Sequence, residues 1–177
     1  MATGEQKVTY WLCPAEPARN YLAEVIRDLA ARFDAPTFEP HMTIYVTGAE
    51  QENAARVLVT VAKEQRPVRS GIHGLDYSDK FTKTLFVQLA ADAELTGLSE
   101  KVRRASASQN DYELNPHLSL IYKTMEEETK RQLATSIKLP FTEIVFDTVK
   151  AVLTPAEINS REDLEAWRVI AEATLAK

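Results

Sequence analysis

A chain of 177 residues with 45% apolar side chains falls in the size range of one domain and can bury a hydrophobic core without disulfides. Its net charge of −5 argues against binding a long nucleic acid, which depends on lysine and arginine to neutralise phosphates. Its single cysteine, Cys13, excludes an internal disulfide or a thiolate metal cluster and reads as a small buried thiol, while the absence of a basic, apolar leader and of any long apolar run leads us to expect a cytoplasmic protein outside membranes.

Val8 to Cys13 is rich in β-branched and aromatic residues and predicts a first strand. From Ala18 to Phe33, Tyr21, Leu22, Val25, Ile26 and Leu29 recur at three-to-four spacing, which predicts a helix with Pro17 suited to its first turn. Pro40 to Val46 reads as a strand opening on proline, where the missing N–H costs nothing, and Gln51 to Glu64 as a second helix. Val68 to Ser78 is strand-like, with Gly71 and Gly74 weakening it at a bulge. A strand over Thr84 to Ala90 follows, then a helix over Glu94 to Ala107 with Leu95, Leu98 and Val102 on one face. Pro116 to Tyr122 is again a strand, Glu127 to Ile137 a helix, and Phe141 to Val152 holds one or two further strands. In the tail, Trp167, Val169, Ala171, Ala173 and Leu175 alternate as in a strand, although Glu162 to Lys177 also contains strong helix formers; the alternation is taken as the stronger signal. The basic stretches Lys101 to Arg104 and Lys130-Arg131 sit beside acidic residues and read as solvated helix faces.

The chain repeats itself. Phe38-Glu-Pro-His-Met-Thr-Ile-Tyr45 returns 76 residues later as Leu114-Asn-Pro-His-Leu-Ser-Leu-Ile121. The same offset sets Lys7 to Cys13 over Lys83 to Leu89, and Glu50-Gln-Glu52 over Glu126-Glu-Glu128. With no long linker between the copies, 1–177 reads as a single domain of two lobes, about 7–64 and 83–137, related by an approximate two-fold axis.

On each repeated strand the side chains alternate faces, so His41 and Thr43 point one way while Met42 and Ile44 enter the core; His117 and Ser119 do likewise against Leu118 and Leu120. If the two-fold axis brings the polar pairs together, a cleft holds two imidazoles and two hydroxyls. Imidazole titrates near neutrality, so two of them flanking one phosphorus can serve as base and acid. The hydroxyls of Thr43 and Ser119 can hydrogen-bond the non-bridging phosphate oxygens. That inventory suits phosphoester hydrolysis without a metal or other cofactor: two histidines are too few for a zinc site, and no further His or Cys completes one.

The paired segments Pro40-His-Met-Thr-Ile44 and Pro116-His-Leu-Ser-Leu120 resemble the His-h-Thr/Ser-h signatures, with h apolar, of the two-histidine (2H) phosphoesterase superfamily. Together with Tyr10-Trp-Leu-Cys-Pro14 they are most similar to the plant and yeast cyclic phosphodiesterases, and the resemblance covers nearly the whole chain. It implies an α+β fold of two lobes, each an antiparallel sheet with outer helices, around a central cleft. It further implies hydrolysis of ADP-ribose 1'',2''-cyclic phosphate or of nucleoside 2',3'-cyclic phosphates, the latter to nucleoside 2'-phosphates. Trp11 and Tyr122 match positions that can stack on a nucleobase, although Trp11 also reads as a core aromatic and strict alternation points Tyr122 away from His117. The expected partner is a small nucleotide, and a monomer needs nothing more. The alternatives are an RNA-end cyclic phosphodiesterase similar to 2'-5' RNA ligases, which share both motifs, and a non-catalytic nucleotide-binding module. His73 lacks a hydroxyl two residues on and reads as structural or surface; Tyr77, Lys80 and Phe81 read as a solvated turn, though placed where they could face the cleft.

Overall fold

The computed structural model describes residues 4–50 and 52–177. In chain order the elements are β1 (Gln6–Pro14), α1 (Ala18–Phe33), β2 (Met42–Gly48), α2 (Ala54–Ala62), β3 (Val68–Tyr77), a 3-10 turn (Phe81–Lys83), β4 (Leu85–Leu89), α3 (Ala93–Ala105), β5 (His117–Ile121), α4 (Glu127–Ser136), β6 (Glu143–Pro155), α5 (Arg161–Glu165) and β7 (Arg168–Thr174). The fold is α+β, as expected. All strands pair antiparallel, in the order β2-β1-β6-β3-β4-β5, and β7 joins β6 along Thr148–Leu153, beyond its pairing with β3. Among the described residues no helix is long and apolar enough to cross a membrane.

The helices begin and end where local chemistry dictates. α1 buries Leu22, Ile26 and Leu29 and stops at Asp34, whose left-handed backbone (φ 50°) lets its N–H reach the Ala30 carbonyl. The expected helix start at Gln51 lies outside the described residues; the helix itself begins at Ala54, because the Asn53 side chain accepts the Arg56 N–H at 3.1 Å. Asp92 caps α3 through the Leu95 N–H at 2.9 Å, and Leu95, Leu98 and Val102 face inward. These apolar stripes pack on one side of the strands, against Tyr10, Leu12, Met42, Ile44, Leu118 and Leu120.

One reading of the sequence is corrected. Lys130 is not on a solvated face: it is buried, its ammonium donating to the Ser78 carbonyl and to Asp79 at 2.9 and 2.8 Å, which ties α4 to the turn before β4. In the tail the strand expected from the alternation forms, as β7 over Arg168–Thr174, and the helix formers before it give only a short helix. Ser160 and Asp163 form a capping box that starts the short α5, and β7 begins only after Trp167.

The bulge anticipated in β3 falls at His73. Val68–Gly71 pair with β6, Ile72 pairs with Leu89, and the next rung is Gly74 with Gln88, which leaves His73 unpaired and exposed. Gly74 takes φ 141° there, a conformation that suits glycine alone. Of the further bulges, none anticipated, two fall on the histidine strands. Opposite Tyr10 and Trp11, β2 carries Ile44 as an extra residue; opposite Leu85 and Phe86, β5 carries Leu120. Each bulge sends two successive residues into the core, Ile44 with Tyr45 and Leu120 with Ile121, and so resets the alternation beyond it. The bulges keep the offset of 76, whereas the same pairings relate β1 to β4 by 75: Trp11 lies opposite Thr43, and Phe86 opposite Ser119. The two end strands of the order, β2 and β5, come into contact, so the sheet brings its histidine strands together.

Candidate active site

His41 immediately precedes β2 and His117 opens β5, each fixed by the proline before it and by a hydrogen bond two residues back. The Nδ1 of His41 lies 2.7 Å from the Glu39 carbonyl, and the Nδ1 of His117 lies 2.7 Å from the Asn115 carbonyl. A carbonyl oxygen only accepts, so Nδ1 carries the hydrogen in both rings and Nε2 is the site that gains or loses a proton. Both histidines line one cavity of about 350 Å³, together with Thr43, Trp11 and Tyr122.

The two imidazoles sit in unlike surroundings. Trp11 stacks on His41 at 3.7 Å between ring centres and 15° between planes, while Trp167 and Phe38 meet it edge-on at 5.7 and 6.2 Å. Only 6% of His41 remains exposed. Burial pulls its pKa down to about 4, helped by the charges of His117 and Lys150 and opposed by the Glu39 carbonyl bond. His117 is more open and has Phe86 edge-on at 5.6 Å; burial and the Lys83 ammonium lower its pKa against the Asn115 carbonyl. Lys150 holds both carboxylate oxygens of Glu39, at 2.7 and 2.8 Å, and so anchors the residue whose carbonyl orients His41.

A family model described as "Cyclic phosphodiesterase-like protein" matches residues 7–175. The chain belongs to this family. With it comes membership of the 2H phosphoesterase superfamily that the paired motifs resemble, and the class of enzyme is phosphodiesterase. The Arabidopsis thaliana cyclic phosphodiesterase is 20% identical over 169 residues, 93% of each chain. Among solved structures, TT0787 of Thermus thermophilus superposes with a TM-score of 0.60 at 16% identity, covering 96% of this chain and 97% of its own. Escherichia coli LigT in its 3'-AMP complex gives 0.58 at 14%, covering 99% and 100%; these likenesses carry the fold.

Within this member of the cyclic phosphodiesterase-like family, the motif hydroxyls differ. Thr43 lines the cavity, and among the described residues its hydroxyl makes no hydrogen bond, whereas the Ser119 hydroxyl donates to the Thr82 carbonyl at 2.8 Å and Ser119 does not line the cavity. Thr82, from the 3-10 turn, lines the cavity in its neighbourhood. Tyr122 reaches the cavity because the Leu120 bulge turns it onto the face of His117, and burial pushes its phenol pKa up. Of the turn residues singled out by sequence, Phe81 packs 6.1 Å from Tyr122, Tyr77 lies under Lys130, and Lys80 is exposed; none of them lines the cavity.

Sequence reasoning did not single out Trp167, Tyr112, Thr82 or Lys7 as cavity residues. Trp167 had a signal in hindsight: a tryptophan directly after a capping box, at the boundary of an alternating tail. It meets Trp11, His41 and Tyr122 edge-on at 5.2, 5.7 and 5.7 Å, so it links the walls of the cavity. Among the described residues no group of three His, Cys, Asp or Glu side chains is arranged to hold a metal ion.

Proposed function

We propose that His41 and His117 form an acid–base pair that hydrolyses a small cyclic phosphate on a ribose, ADP-ribose 1'',2''-cyclic phosphate or a nucleoside 2',3'-cyclic phosphate, within a single two-lobed domain built from the repeat. The observation that carries this reading is the matched pair of Nδ1–carbonyl bonds, which leaves both Nε2 atoms as the exchangeable positions beside one cavity. One Nε2, unprotonated, takes a proton from water as its oxygen bonds to phosphorus. The other, protonated, gives its proton to the ribose oxygen as that phosphorus–oxygen bond breaks. From a 2',3'-cyclic phosphate the product is the nucleoside 2'-phosphate, and proton exchange with solvent restores the pair. Thr43 donates to a non-bridging oxygen, and Trp11 and Tyr122 face the sugar and base. Ser119 acts on phosphate only if its hydroxyl leaves Thr82, so its proposed share is smaller.

A site built for small nucleotides is further supported by the ligands of LigT, which has been crystallised with 3'-AMP, NADP+ and ATP. Steady-state turnover of cyclic mononucleotides, of ADP-ribose 1'',2''-cyclic phosphate and of an oligonucleotide ending in a cyclic phosphate tests the reading, with and without excess EDTA. Turnover of the small substrates, unchanged by EDTA, is expected. Binding without turnover, a large preference for the oligonucleotide, or activity that EDTA abolishes and zinc restores would each overturn part of it.

A further inference from the structure

The cavity continues past the histidines. Trp11, Thr9 and Lys7 alternate along β1, share its cleft face, and all line the cavity. At roughly 3.3 Å per residue, this wall runs about 13 Å from Trp11 to Lys7. Thr154 of β6 lies opposite Lys7 and lines the same stretch, its hydroxyl 3.1 Å from that of Thr9. The chain carries 26 Asp and Glu residues and a net charge of −5, yet among the described residues no carboxylate lines this cavity. Lys7 is its one lysine or arginine, and among the described residues Lys7 pairs with no carboxylate.

An unpaired ammonium at the far end of a carboxylate-free groove, beside two hydroxyls, is suited to an anion. We propose that Lys7, with Thr9 and Thr154, binds a second phosphate of the substrate, esterified beyond the ribose that carries the cyclic phosphate. The groove then selects ribose cyclic phosphates extended by a phosphate or a diphosphate over unextended ones. A phosphate on the far side of the sugar stands one ribose away from the reacting phosphorus, and the flexible four-carbon stem of lysine lets the ammonium lean back to meet it. This inference rests on the proposed reaction at His41 and His117 and names the kind of substrate that fits it.

The test compares kcat/KM of wild type, Lys7→Gln and Lys7→Arg on three probes. These are adenosine 2',3'-cyclic phosphate, the same nucleotide bearing a 5'-phosphate, and ADP-ribose 1'',2''-cyclic phosphate. Wild type is expected to prefer at least one extended probe, and whichever it prefers tells a single phosphate from a diphosphate. Lys7→Gln should lower the ratio of extended to unextended probe about tenfold, through KM, as expected for loss of one hydrogen bond to a charged group. Lys7→Arg should keep most of the ratio, and added salt should erode it in wild type. A ratio that Lys7→Gln leaves unchanged, or three probes falling alike, overturns the subsite while leaving the reaction intact. A wild type inert on all three overturns both.

Discussion

Replacing either histidine by asparagine separates the position of the ring from its chemistry. The asparagine amide can still donate to the carbonyl that now receives Nδ1–H, Glu39 in one case and Asn115 in the other, but it has no Nε2 to exchange a proton. His41→Asn and His117→Asn should each cut kcat/KM on a cyclic mononucleotide by about 10²- to 10⁴-fold, or about 2.7 to 5.5 kcal/mol of transition-state stabilisation. Alanine adds a structural cost at only one site. His41 is 6% exposed and stacked on Trp11, so His41→Ala opens a void worth about 3 kcal/mol, the low end for deletion of a buried aromatic. For a chain of this size that is roughly 6 to 12 °C in Tm. His117 is more open, and His117→Ala should melt within a few degrees of wild type. Because acid and base act in the same transition state, the double asparagine variant should lose far less than the product of the two single losses. Thermal unfolding beside steady-state kinetics checks every part of this. An asparagine variant that melts like wild type and keeps more than about a tenth of its kcat/KM would refute proton transfer by that ring.

The hydroxyls should part company: Thr43→Val should cost about 10- to 150-fold in kcat/KM, the worth of a hydrogen bond to a charged group. Ser119→Ala should cost less in rate and instead destabilise the fold by about 1 to 3 kcal/mol by leaving the Thr82 carbonyl unpaired; a larger rate effect for Ser119→Ala would reverse the assignment. With His41 near 4 and His117 also lowered, the base is neutral above its pKa and the acid protonated below its own, so kcat/KM should peak between about 4 and 6.5. A maximum above about pH 7.5 in a pH–rate profile would contradict this. In the same window the unfolded chain binds more protons than the folded one. Stability should therefore fall as pH drops from 6.5, by about 3 kcal/mol at pH 4 from His41 alone. Melting curves from pH 4 to 7 should show that slope in wild type and lose most of it in His41→Asn.

Periodicity and capping chemistry made most elements legible. Ala18 to Phe33 was bounded correctly because its apolar stripe starts beside Pro17 and ends before a residue that leaves the helix. The two histidine strands were legible because their motifs repeat, and the inward turn of Met42 and Leu118 follows from alternation alone. Alternation fails where a strand gains a residue, and neither bulge is marked by glycine or proline: Ile44 and Leu120 are ordinary apolar residues. Tyr122 was therefore assigned to the wrong face, although the resemblance had named it as a site residue. The chain joining the paired Phe86 and Ser119 of β4 and β5 is one residue longer than that joining Trp11 and Thr43 of β1 and β2, so the alignment of Lys7 over Lys83 is one position from the strand pairing and hides Phe86 as the counterpart of Trp11. Trp167 and Lys150 come from β6 and the tail, outside the repeat, where no second copy draws the eye. The Ser119–Thr82 bond joins a strand to a turn 37 residues away, and no local pattern announces such a contact.

The repeat and its departures do different work. The parts that recur, a proline, a carbonyl two residues back and a bulge three residues on, set up two rings with the same nitrogen, Nε2, left to exchange a proton. An acid–base pair works over a wider pH range when its members differ, because the state with one ring protonated is then dominant between the two pKa values. The difference comes from what does not recur. β6 contributes Lys150 and the segment after α5 contributes Trp167, both on the His41 side, while Trp11 stacks closely where Phe86 only touches edge-on. His41 is thereby more enclosed and harder to protonate, and His117 is the more open of the two. Under the proposed reaction, transplanting the environment is a sharper test than deleting a ring. Trp167→Ala admits water to His41 and should raise its pKa toward 6.5, a shift that NMR titration of the two imidazoles reads directly. The two histidine titrations should then move closer together and the peak of the pH–rate profile should narrow. If the His41 titration stays where it was, the enclosure by Trp167 is not what distinguishes the two rings.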